Sequence, residues 1–300
     1  MEKINSHITA PEQLSKQFFK DYFLLSKFRL STTVVGTTLI CYFLGIQKFG
    51  ISISWSAVFG LALGGMLVTA AANGFNQIWE KDLDKLMSRT QDRPLANGRM
   101  KVNDALVFSS VCAALGLFLL AYAVNGRVAL LSLLSLFTYA LVYTPLKKET
   151  PLAVFVGAIP GALPPAIGWV AVSGNIDSIA YILFAVQFFW QFPHFWAIAW
   201  ILEDDYRKAG YTLLPSYAGR TKKNALQTVW YSAMLIMVTL YPISLGDFSS
   251  PYSLFLILPA GGFLLFKSYK LYQEMTVESA KKLMYASLIY MPAVLISYFF

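Results

Sequence analysis

Apolar and polar positions fall into long blocks along the chain rather than alternating residue by residue. Apolar runs of about 20 residues recur from end to end, the length a helix needs to cross a hydrocarbon core of about 30 Å. The pattern predicts nine spans, at 30–47, 54–79, 104–124, 127–145, 152–172, 178–202, 225–243, 252–270 and 280–299. Barrel strands would instead alternate over about ten residues. The expected fold class is an all-α membrane protein with nine transmembrane helices. Residues 1–29 read as a polar amino-terminal arm and 30–300 as a single transmembrane domain. Near its end the arm mixes Phe18, Phe19, Tyr22 and Phe23 with Lys16, Lys20 and Lys27, the pattern of an interfacial helix.

Composition agrees. A chain that is 57% hydrophobic and 13% charged is not a soluble domain. The net charge of +8 does not mark nucleic-acid binding, because the basic residues follow the loops. Lys and Arg crowd the arm and the second, fourth, sixth and eighth connections. They are sparse or missing in the others. That alternation places the amino terminus in the cytoplasm and the carboxyl terminus outside. Cys41 and Cys112 lie in apolar runs and read as buried free thiols. No cleavable signal peptide is visible, and Glu2 and Glu12 argue against a transit peptide.

The densest chemistry lies in residues 72–95. Asn76, Glu80 and Asp84 are spaced by four, so on a helix they share one face. Each step drifts by about 40°, which keeps the stripe together over two steps. Asp82 points elsewhere, about 200° round from Glu80. Two carboxylates and a carboxamide are hard oxygen ligands suited to Mg²⁺ beside substrate phosphate. Arg89 and Arg93 follow, and guanidinium groups match phosphate geometry. Charges at a membrane edge often bind nothing, but carboxylates facing inward from a membrane helix are costly and usually functional. The combination points to a lipid diphosphate site.

A second cluster closes the sixth span. Pro193 should kink that helix and free backbone carbonyls. His194 fits either a hydrogen-bonded core histidine or a ligand of metal or haem. Glu203, Asp204 and Asp205 offer a second metal set, which Arg207 and Lys208 would neutralise unless they contact phosphate. In the fifth span, Pro160, Gly161, Pro164, Pro165 and Gly168 should break or bend the helix. That segment serves close packing, a bent wall for a flat ligand, or both. The loops after the second and sixth spans lie on one predicted side and should meet over a central cavity.

Asn76-x-x-x-Glu80-x-x-x-Asp84 resembles the first acidic motif of the UbiA-type intramembrane prenyltransferases, read there as Asn-x-x-x-Asp-x-x-x-Asp. Further segments narrow the resemblance to the protohaem IX farnesyltransferase (haem O synthase) family. They are Met87 to Leu95, Tyr143 to Lys147, Gly161 to Trp169, Phe192 to Trp196, and Asp204 to Gly210 followed by Leu214-Pro215. The resemblance implies a UbiA-type fold whose two cytoplasmic loops cap the cavity. It implies transfer of farnesyl from farnesyl diphosphate to a vinyl group of haem b, with Mg²⁺ as cofactor. By position, Asn76, Glu80, Asp84, Asp204 and Asp205 become metal-holding catalytic residues. Arg89, Arg93, Lys147, Arg207 and Lys208 become diphosphate-binding, and His194 is a candidate for haem. Glu80 stands where the superfamily often has Asp. The second motif departs from Asp-x-x-x-Asp, because Ala209 follows Asp205 and Lys208 follows Asp204 at that spacing.

The implied setting is the bacterial inner membrane. The product would pass to a haem A-forming enzyme or a terminal oxidase. A quinone-pathway aromatic prenyltransferase is the alternative, and the second motif speaks against it. A transporter is disfavoured by the odd span count and the lack of an inverted repeat.

Overall fold

The computed structural model describes residues 11–244, 246 and 249–300. The helices in chain order are α1 (Pro11–Leu25), α2 (Phe28–Phe49), α3 (Trp55–Asp84), α4 (Val102–Ala123), α5 (Gly126–Leu146) and α6 (Ala153–Ser173). They continue as α7 (Ser178–Ile201), α8 (Glu203–Lys208), α9 (Lys222–Ser244), α10 (Pro251–Glu274) and α11 (Val277–Ser297). No strand occurs among the described residues. Of the arm, residues 1–10 lie outside the described residues, and α1 fills most of the rest.

Eight helices, α2 to α7 with α9 and α10, are long and apolar enough to cross a membrane. The expected count was nine. The ninth candidate, α11, has 21 residues but opens with Glu278, Lys281 and Lys282 and falls outside those eight. It nonetheless packs along α7 and α10. The outer surface is apolar, as hydrocarbon requires. On α4, Val107, Val111, Leu115 and Phe118 form one exposed stripe, while Ala105, Ser109, Cys112 and Gly116 face inward. Both cysteines are free and buried.

Oil outside removes the hydrophobic drive between helices, so close contact of backbones holds them together instead. A Cβ on Gly64 would come 3.0 Å from the Gly116 carbonyl oxygen, and one on Gly116 would come 2.9 Å from that of Gly64. Gly168 of α6 lies against the Thr38 carbonyl of α2, and Gly161 lies against the Gln191 side chain of α7. Helix α6 is the hub, packed on α2, α5 and α7.

Helix α6 runs unbroken through Pro160, Pro164 and Pro165, so of the expected break or bend the break does not occur. At one of these positions a neighbouring helix supplies the donor that proline lacks. Pro164 has no N–H for the Pro160 carbonyl, and the Ser135 hydroxyl of α5 donates to that oxygen instead (3.2 Å). Gln191 Nε2 also donates to the Ala158 carbonyl (2.8 Å), an added tie between α7 and α6. Two π-helical turns, Gly60–Gly64 in α3 and Thr138–Tyr143 in α5, also went unforeseen. Between α2, α3, α4, α5 and α6 lies a narrow cavity of 50 Å³, lined by Val35, Thr38, Gly65, Thr69, Ser132 and Ile167 among others.

Gly168→Leu should force α2 and α6 apart and cost about 1–3 kcal/mol of stability. Gly36→Leu should cost far less, because nothing lies within 4 Å of its added Cβ. Thermal unfolding of the two variants in detergent checks the contrast.

Candidate active site

The stripe forms as its spacing predicts. Asn76, Glu80 and Asp84 all lie on α3, and all three are at least 95% buried. Buried polar and charged groups need partners, and three separate segments supply them. Lys147, one residue past α5, donates to Glu80 Oε1 (2.6 Å). Arg93, from the loop after α3, donates to both Asp84 oxygens (2.9 and 2.7 Å) and lies 3.7 Å from Glu80 Oε2. Lys27 donates to Asn76 Oδ1 (3.0 Å), while Asn76 Nδ2 donates to the Thr144 hydroxyl (3.2 Å).

Lys27 was read from sequence only as part of the basic arm. It sits between α1 and α2 with φ 47°, in the left-handed region. Amides of α3 clamp that joint: Asn73 Nδ2 donates to the Ser26 carbonyl (3.1 Å) and Gln77 Nε2 to that of Leu25 (2.8 Å). A further tie runs from Arg99 Nε to Asp21 of α1 (3.0 Å). The available signal was Asn73, Asn76 and Gln77, three amides on one face of an apolar run. Burial, with the Arg93 guanidinium nearby, holds the Lys27 ammonium down at about 7. Burial would lower Lys147 too, but the Glu80 carboxylate overrides it and raises that ammonium well above the ordinary value. Lys147 also lies 5.0 Å from the ring centroid of Tyr211 and 5.3 Å from that of Tyr143. Burial pushes the Tyr211 hydroxyl up, so it stays protonated.

The two large loops meet. The backbone N–H and hydroxyl of Ser88 donate to Asp205 Oδ1 (3.0 and 3.2 Å), and the Arg89 N–H donates to Oδ2 (3.4 Å). Lys208 Nζ donates to the same carboxylate (3.0 Å). Asp205 therefore serves as a clasp between loops. The guanidinium-bearing residue Arg89 is itself exposed. Other members of the second cluster are not brought to the stripe. Asp204 is 79% exposed and paired with Arg220 (3.0 Å), and Arg207 is paired with Glu203 (2.7 Å). Asp204 and Asp205 are consecutive on helix α8, so they point in different directions, about 100° apart. His194 is also elsewhere. Its Nδ1 lies 2.8 Å from the Ser287 hydroxyl of α11, and its ring stacks on Trp190 at 4.7 Å.

Among the described residues no group of three His, Cys, Asp or Glu side chains forms a metal cluster. The stripe offers two carboxylates and a carboxamide. Mg²⁺ typically takes one or two carboxylates and fills its shell with phosphate oxygens and water, so this donor set fits it. The arrangement is one of hard oxygens ringed by cations at the polar end of a membrane helix.

The Ser88 N–H holds the Asp205 carboxyl down at about 2, with help from Lys208 and Arg89. A depressed carboxylate stabilises the docked loops above its unfolded value of about 3.9. That stabilisation is lost as pH falls through about 2. The protection of the Ser88 and Arg89 amides, their exchange relative to the intrinsic rate at each pH, should hold down to pH about 4 and fall below it. Asp205→Asn should lower that protection several-fold at neutral pH.

The UbiA prenyltransferase family model matches residues 34–289. A protoheme IX farnesyltransferase of Christiangramia forsetii is 43% identical over 287 residues, covering 95% of this chain and 94% of that protein. The mitochondrial protoheme IX farnesyltransferase of Arabidopsis thaliana is 35% identical over 290 residues, covering 97% and 67%. A solved structure of digeranylgeranylglyceryl phosphate synthase aligns at TM-score 0.75 with 21% identity, covering 94% and 97%. A UbiA homologue of Archaeoglobus fulgidus bound to GPP and Mg²⁺ aligns at 0.60 with 18% identity, covering 90% and 99%. Helix order, buried stripe and sequence similarity agree that this chain belongs to the UbiA prenyltransferase family.

Proposed function

We propose that the chain transfers the farnesyl group of farnesyl diphosphate to a vinyl group of haem b, with addition of water. Diphosphate leaves and haem O forms. The observation that carries this reading is the buried Asn76–Glu80–Asp84 stripe facing Lys27, Arg93 and Lys147. The protoheme IX farnesyltransferases similar over nearly the whole chain support the acceptor.

Asn76, Glu80 and Asp84 would hold Mg²⁺, which when bound neutralises charge on the departing diphosphate. Arg93, Lys147 and Lys27 grip its oxygens, where negative charge grows as the carbon–oxygen bond breaks. The electron pair leaves with diphosphate, and the vinyl π pair forms the new carbon–carbon bond. Water then supplies the hydroxyl and loses a proton. The clasp at Asp205 holds the loops over the mouth. Thr69 and Gly65, which line the inner cavity, precede Asn76 by two and three turns on the same face. The farnesyl tail therefore runs into that cavity, which must widen to take it. His194 holds the haem through its second ring nitrogen, with Nδ1 fixed by Ser287.

By the Lys and Arg alternation, the loops face the cytoplasm of a bacterial inner membrane and the carboxyl terminus lies outside. A haem A-forming enzyme or a terminal oxidase would take the product.

Membranes supplied with haem b, farnesyl diphosphate and Mg²⁺ should yield a more hydrophobic haem on chromatography. Glu80→Gln and Asp84→Asn should each lower its formation about 100-fold or more; normal product from both would remove the role given to these acids. His194→Ala should weaken haem binding, read by absorbance, while leaving farnesyl diphosphate affinity intact.

A further inference from the structure

The counter-ions of the stripe carry an inference that rests on the prenyl-diphosphate reading. Every donor oxygen is already engaged. Lys27 holds Asn76 Oδ1, Lys147 holds Glu80 Oε1, and Arg93 holds both oxygens of Asp84 and lies near Glu80 Oε2. The cations are themselves enclosed, with Lys147 at 12% and Arg93 at 17% side-chain exposure. Arg93 and Lys147 already balance Asp84 and Glu80, and a protonated Lys27 takes the cluster to an excess of one positive charge. A divalent cation arriving alone would add to that excess. It would also strip buried cations of their partners, which is strongly unfavourable.

A diphosphate reverses both effects. Its oxygens accept from ammonium and guanidinium groups in preference to a monocarboxylate, and its charge absorbs the excess. The carboxylates are then released to face the metal. We propose that Lys27, Arg93 and Lys147 act as an internal lock that makes divalent-metal binding conditional on the diphosphate. Metal and diphosphate bind as a coupled pair, and each raises the affinity for the other by the same factor. Lys27 extends the lock to the amino-terminal joint, because its backbone neighbours Leu25 and Ser26 are clamped by Gln77 and Asn73.

The test uses the full chain in detergent, with Mn²⁺ as an EPR-visible hard cation. The partner ligand is a farnesyl thiodiphosphate that resists ionisation. Mn²⁺ bound by the analogue in solution is subtracted with a protein-free titration. The analogue should tighten Mn²⁺ binding about tenfold or more, and Mn²⁺ should tighten analogue binding equally. Lys27→Gln keeps a donor for Asn76 but removes the charge. It should bind Mn²⁺ alone more tightly than the wild type and show a coupling factor several-fold smaller. Lys147→Gln should do the same, with thermal melts confirming that each variant is folded. Equal Mn²⁺ affinity with and without the analogue overturns the inference, and so does an unchanged coupling factor in both variants. If the analogue binds in neither condition, the prenyl-diphosphate reading falls as well; if it binds without altering Mn²⁺ affinity, only the lock falls.

Discussion

Two carboxylates buried at the polar end of one membrane helix set the terms for the rest of the molecule. Glu80 and Asp84 cannot remain charged there without opposite charge close by. The chain meets that demand with Arg93 from the loop after α3 and Lys147 from the end of α5, while Lys27 from before α2 binds the adjoining Asn76. Each of the three cations comes from a different stretch of sequence, so these contacts also fix where three segments end. On the proposed reading stability and function are joined here, since the contacts that make the fold tolerable in oil are those a diphosphate would use.

The stripe was legible because four-residue spacing has one geometric meaning on a helix. The meeting of the loops was legible because Lys and Arg alternate between faces. Lys27 was not, because its role depends on a left-handed residue at a helix joint that no periodicity announces. The two aspartates of α8 were not distinguishable either, since neighbours on a helix differ only in direction. Only Asp205 reaches the first loop. The π-helical turn before Thr144 also escaped, as no residue spacing in the segment marks it.

The span count marks another boundary of legibility. Eight helices among the described residues are apolar enough by themselves, while α11 combines a charged opening turn with buried Ser279, Ser287 and Ser297. Its place beside α7 is bought by specific contacts: Ser287 meets His194, and Tyr290 donates to Thr239 of α9 (2.9 Å). Hydropathy reads contact with lipid, and a helix that mostly meets other helices need not score well by it.

The bond from Ser135 to the Pro160 carbonyl makes two distant positions interdependent. An alanine at 135 would be an almost isosteric change, yet it would strand an oxygen with nowhere to turn in hydrocarbon. Restoring an amide at 164 would make that hydroxyl dispensable. Descendants of this sequence are thus free to lose the serine only after they have lost the proline, so the order of substitution is written into the backbone.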